Sequence, residues 1–126
     1  MFHIDQRSPL SIYEQILQNV EKMIVSGALL KNEKLPSVRT LANDLAVNPN
    51  TIQKAYGLLE ERGIIYSCPG RGSFIAVDRE DFQAQCAPRE METLDRVLDT
   101  LIALHVSRDE VIARVNRRYE MYAVKE

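Results

Sequence analysis

The sequence predicts a mainly helical fold carrying one small β-hairpin, and three observations predict it. Apolar residues recur at helical spacing in several separate stretches, each bounded by cap residues. One stretch alone, residues 64–77, is rich in strand formers around a Pro-Gly turn. A chain of 126 residues with 45% hydrophobic content can bury one compact core with a helical appendage but not a large enzyme.

Phe2-His3-Ile4-Asp5 opens the chain and is expected either to add a short strand or to fray. The first helix is expected from Ser8-Pro9, a cap followed by proline, to Gly27, with Ile12, Ile16, Val20, Met23 and Ile24 as its apolar stripe. A second, short helix is capped by Ser37 and buries Val38, Leu41, Ala42 and Leu45. The third runs from Asn48 to Gly63. Asn48 can accept from a first-turn N–H, Pro49 suits the first helical position, and Gly63 suits a left-handed stop.

This third helix has two unlike faces. Ile52, Ala55, Tyr56 and Leu59 fall at i, i+3, i+4 and i+7 and should be buried, which leaves Asn50, Gln53, Lys54 and Gly57 outside. Asn and Gln can pair with an adenine edge in a major groove, Lys reaches guanine or phosphate, and a helix N-terminus attracts phosphate. An ordinary solvated face would look the same in isolation. The neighbours decide the matter: only a tight turn separates this helix from the second, the arrangement of a helix-turn-helix in which the first helix supports the second across a groove. Downstream, strands over 64–67 and 73–77 flank the turn residues Cys68-Pro69-Gly70-Arg71-Gly72 and form a wing with Arg71 near its tip.

The residues Leu35-Pro36-Ser37-Val38-Arg39, Asn48-Pro49-Asn50-Thr51, Leu58-Leu59-Glu60-Glu61-Arg62-Gly63 and Gly70-Arg71-Gly72-Ser73-Phe74 together resemble the winged-helix domain of the GntR family of bacterial transcription regulators. The resemblance covers roughly residues 9–77, and the short tail makes it most similar to the YtrA-type subfamily. By motif position it implies DNA contacts from Arg39 in the supporting helix, from Asn48, Asn50, Thr51, Gln53 and Lys54 around the reading helix, and from Gly70 and Arg71 in the wing. Pro69 stands where such wings often carry a basic residue, and Gly57 replaces a larger side chain, at a helical cost of roughly 1 kcal/mol against Ala.

Two domains are therefore expected: a winged helix-turn-helix over residues 1–77, and a linker or short bridging helix followed by a helical hairpin over residues 78–126. The hairpin helices are expected at Met91–His105 and Arg108–Tyr122, with Ser107 and Glu110 as a capping box between them. Leu94, Val97, Leu98, Leu101 and Ile102 form the stripe of the first and Val111, Ile112, Val115, Tyr119 and Tyr122 that of the second, more apolar surface than two short helices can bury alone. A homodimer is the expected cover, as the resemblance also implies, with packing back on the winged domain as the alternative.

The formal net charge of -2 conceals an asymmetry. Residues 1–77 carry eight Lys/Arg and seven Asp/Glu, whereas residues 78–126 carry eight and eleven, so the acid lies in the tail. Cys68 and Cys86 stand far apart without a His cluster and are expected to be reduced, His3 and His105 are assigned no ligand role, and no metal or cofactor is expected. No phosphate loop or nucleophile-base pair is visible, no apolar run reaches bilayer length and no signal peptide opens the chain. The expected protein is a cytoplasmic, non-enzymatic, homodimeric regulator, most simply a repressor of a pseudo-palindromic double-stranded DNA operator. The competing class is a winged-helix module whose outer face meets a protein. Fewer than fifty residues remain after the winged domain for an effector pocket, which leaves an unknown small-molecule effector room only at a dimer interface.

Overall fold

The computed structural model describes residues 2–123 and divides the chain into two compact units, residues 1–85 and 86–126. The ends of both expected domains, Met1 and residues 124–126, lie outside the described residues. The first unit holds α1 (Ile12–Ser26), α2 (Val38–Leu45), α3 (Pro49–Glu61), β1 (Ile65–Cys68), β2 (Gly72–Ile75) and the beginning of α4 (Arg79–Ala103). The second holds the rest of α4 and α5 (Arg108–Ala123).

α3 is the central element of the first unit and packs on α1, α2 and β1. Its four expected core residues Ile52, Ala55, Tyr56 and Leu59 are all buried, as are Ile16, Val20 and Ile24 of α1, Leu41 and Ala42 of α2, and Ile65 and Ile75 of the hairpin. Val38 and Leu45 are only half-buried, since α2 is little more than two turns long and its ends reach the surface.

The start of α1 differs from the sequence expectation. Its N-cap is Ser11, whose Oγ accepts from the Glu14 N–H at 3.1 Å, while Ser8 Oγ serves the Leu10 N–H in the preceding turn. Ser11 wins because Glu14 stands three residues on and receives the Ser11 hydroxyl at 3.3 Å, the reciprocal pairing that Ser8 lacks. Upstream, residues 2–5 pair in no sheet, and two of them are bonded to side chains of α1. The Asn19 side chain accepts from the His3 N–H and donates to the His3 carbonyl, and Gln15 does the same for Asp5, at distances from 2.8 to 3.2 Å.

The turn between α2 and α3 closes with Ala46 in the left-handed region at φ 54°, and the Val47 N–H reaches back to the Ala42 carbonyl at 3.0 Å. The hairpin pairs Ile65 with Ile75, Tyr66 with Phe74 and Cys68 with Gly72, so its loop shortens to Pro69-Gly70-Arg71. Pro at the second turn position, Gly70 at φ 78° in the third and a bond from the Arg71 N–H to the Cys68 carbonyl make a type II turn. Residues 33–35 add a third edge: Lys34 bridges Phe74, the Leu35 N–H donates to the Ser73 carbonyl, and the Ile75 N–H donates to the Glu33 carbonyl.

The segment expected as a linker or short bridge is the start of one long helix. α4 begins at Arg79, not at Met91, and the compact unit extends to Gln85. Three side chains explain this. Phe82 is 1% exposed in the core, and Arg79 Nε and Gln83 Nε2 both donate to the Val25 carbonyl near the end of α1. Pro88 sits within the helix, where it lacks the N–H that would bond to the Ala84 carbonyl. In the second unit α4 ends in a left-handed His105 at φ 62°, with the Val106 N–H bonded to the Leu101 carbonyl, and Ser107 Oγ accepts from the Glu110 N–H at the start of α5. No described residue of α5 is buried within the chain.

Candidate nucleic-acid interface

α3 presents the surface that its sequence pattern predicts. Asn50, Gln53, Lys54 and Gly57 are exposed, opposite the buried stripe. Asn48 caps the helix: its Oδ1 accepts from the Asn50 N–H at 2.8 Å, which leaves the amide NH₂ as its outward donor. Thr51 is half-buried, and its backbone N–H bonds to the Asn48 carbonyl at 3.0 Å. Thr51 is therefore less available than its neighbours. Arg39 is exposed in the first turn of α2, and among the described residues it forms no salt bridge, neither with Asp44 nor with Glu33.

Lys54 is held. Its Nζ lies 4.9 Å from the centroid of the Tyr13 ring on α1, a cation–π contact that orients the ammonium without neutralising it. Gly57 has open space around it, with nothing within 4 Å of where a Cβ would stand, so packing inside the chain does not require glycine here.

A part-buried polar contact ties α3 to the start of α2. The Tyr56 hydroxyl donates to the Pro36 carbonyl at 2.7 Å, directly before the Ser37 cap of α2, and burial pushes the phenol well above its ordinary pKa. Ser37 Oγ in turn accepts from the Thr40 N–H at 3.0 Å. Tyr56 thus ties the exposed face of α3 to the end of the helix that carries Arg39.

In the wing, Gly70 and Arg71 are both exposed and form the turn itself, and Arg71 forms no salt bridge among the described residues. Tyr66 and Phe74 stack at 5.5 Å between ring centroids, and the Tyr66 hydroxyl bonds to Asn32 Oδ1 at 2.9 Å, so the hairpin is braced from its base. The eight residues singled out in the sequence all fall within the first unit, six of them around α2 and α3 and two at the wing turn.

Sequence reasoning missed Tyr13, Lys34, Gln15 and Asn19. Tyr13 lies outside the apolar stripe read for α1, and Lys34 stands in the segment between two helices, where sequence pattern assigns no partner. A polar residue within a helical stripe reads alike whether it faces water or a backbone segment, so Gln15 and Asn19 gave no signal. Among the described residues no helix is long and apolar enough to cross a membrane.

The model of the family described as bacterial regulatory proteins, gntR family, matches residues 12–75, which run from α1 through the wing. Over 76 residues the chain is 47% identical to the HTH-type transcriptional repressor YtrA of Bacillus subtilis (strain 168); the match takes in 60% of this chain and 58% of that protein's length. A GntR family transcriptional regulator from Listeria monocytogenes superposes with a TM-score of 0.73 at 35% identity, covering 90% of this chain and 98% of its own. The AraR(DBD) in complex with operator ORX1 superposes with a TM-score of 0.52 at 31% identity, over 60% of this chain and 96% of that one. With a helix-turn-helix, a braced wing and a family match spanning both, the chain belongs to the GntR family of bacterial regulatory proteins and carries their winged-helix DNA-binding fold.

Proposed function

We propose that this protein is a sequence-specific DNA-binding transcription regulator, a homodimeric repressor of a pseudo-palindromic operator. The observation that carries the reading is the exposed Asn50, Gln53 and Lys54 face of α3, opposite a fully buried stripe and beside a wing whose Arg71 is not neutralised by a salt bridge among the described residues. In this reading α3 lies in the major groove, where Asn50 and Gln53 offer paired donor and acceptor to a base edge and Lys54 reaches guanine or phosphate. Asn48, Thr51 and Arg39 contact the backbone beside it, and Gly70 and Arg71 meet phosphate or the adjacent minor groove.

Dimerisation is proposed through the second unit. Leu94, Val97, Ile112, Val115, Tyr119 and Tyr122 are all at least 41% exposed, an apolar surface that a second copy would cover. Two winged units then reach two half-sites. This matters because the first unit has little net charge, so affinity depends on joining two modest contacts. Support for repression comes from the 47%-identical relative, which is named as a transcriptional repressor.

Selection of bound sequences from a random duplex library at near-physiological salt tests this, with Arg39→Ala and Gln53→Ala run alongside. The expected outcome is a palindromic motif from the parent chain, relaxed at one base position by Gln53→Ala and bound more weakly across all sequences by Arg39→Ala. A library that yields no enriched motif from the folded protein overturns the proposal and favours a protein partner for the same face.

A further inference from the structure

We propose that Lys34 is a second phosphate-contacting cation of the wing, seated on Gly72; this rests on the DNA-binding reading above. Four observations converge on it. First, Lys34 is not a free loop residue. It bridges Phe74, and the bonds from the Leu35 N–H to the Ser73 carbonyl and from the Ile75 N–H to the Glu33 carbonyl, both 2.9 Å, make residues 33–35 the third edge of the wing sheet.

Second, its side chain has a defined seat. A Cβ built on Gly72 would stand 2.9 Å from Lys34 Cε and 3.7 Å from Nζ, so the aliphatic stem lies across the glycine where any larger residue would displace it. Third, the seat is next to the tip. Gly72 follows Arg71 directly and pairs with Cys68 at the last rung, so the two cations share one end of the hairpin. Fourth, the charge is not spent internally. The salt bridges among the described residues join Lys31 to Asp78 and Arg62 to Glu21, and neither involves Lys34 or Arg71.

A stem held by backbone pairing on one side and a glycine on the other loses little freedom on binding an anion, which favours contact over a loose lysine of equal charge. Two cations at one end of the hairpin also suit two successive phosphates of a strand that passes the wing.

The experiment is the salt dependence of full-length protein binding to a mixed-sequence duplex, which needs no knowledge of the operator, for the parent chain, Lys34→Ala, Lys34→Arg and Arg71→Ala. Loss of one phosphate contact flattens the slope of log affinity against log salt by about 0.9 per engaged wing, so a fourfold rise in salt costs Lys34→Ala roughly three- to fourfold less affinity per wing than it costs the parent. Lys34→Arg is expected to restore the slope. Thermal unfolding of each variant confirms that the wing is intact. A slope for folded Lys34→Ala equal to the parent's overturns the proposal. If Arg71→Ala alone then flattens the slope, the wing binds DNA without Lys34; if no variant changes it, the DNA-binding reading of the wing falls as well.

Discussion

Tyr56 joins the stability of the fold to the placement of its reading face. Removing its hydroxyl by Tyr56→Phe leaves the Pro36 carbonyl without its partner, at an expected cost of about 1–3 kcal/mol in urea unfolding. The phenol also sets an alkaline limit. Its folded pKa is raised by burial, so the neutral form is favoured in the folded chain. The stabilisation is present in full below the ordinary phenol value of about 10 and is lost as pH climbs from there toward the raised folded value. Tyr56→Phe should remove that part of the alkaline loss, which unfolding curves collected through this range will detect. At this scale the sequence was most readable where a residue had one task. The i, i+3, i+4, i+7 stripe of α3 identified Tyr56 as core, but periodicity carries no information about where a buried hydroxyl points, and the Pro36 contact lies twenty residues away.

Among the elements, α3 was fully legible because Asn48, Pro49 and Gly63 mark both of its ends by local chemistry. α4 was not. Proline and a run of small and polar residues over 83–88 describe a helix interrupter, whereas its first turns are held by Phe82 in the core and by the bonds of Arg79 and Gln83 to Val25. Those are tertiary forces that no local signal announces. Pro88 then becomes a cost that the helix tolerates. Pro88→Ala restores a donor for the Ala84 carbonyl and removes a ring clash, so it should stabilise α4 by up to about 3 kcal/mol, measured as a rise in helical ellipticity and in the unfolding midpoint. No gain in either would mean that the carbonyl is already served elsewhere. The wing followed its sequence more closely, but the turn chemistry of residues 68–72 could not reveal that residues 33–35 would join it, since that pairing spans some forty residues of chain.

For the whole molecule, the compact unit that carries the reading face holds nine Lys/Arg and ten Asp/Glu, a net charge of -1, so it has no overall field to draw it to DNA. Local placement of cations must do that work, with two copies acting together. Ile112→Asp and Val115→Asp, at positions 48% and 44% exposed in the single chain, should be silent in a monomer and disruptive in a dimer. Sedimentation velocity is expected to show the parent as a dimer and the double variant as a folded monomer whose operator affinity falls on the order of a hundredfold or more. A parent chain that sediments as a monomer at micromolar concentration would remove the second unit from the assembly.

The carboxamides of Gln15 and Asn19, one helical turn apart on α1, each turn their oxygen and an N–H to one residue as a peptide group would, while the amide nitrogen donates also to the Leu10 carbonyl from Gln15 and to the Gln15 carbonyl from Asn19. Residues 3 and 5 are therefore paired as though with a neighbouring strand that is built from side chains. Such an imitation has no backbone of its own to offer onward. It satisfies residues 3 and 5 on that side while ending the pairing at a helix, so their peptide groups are not left open there to an added strand from a second chain.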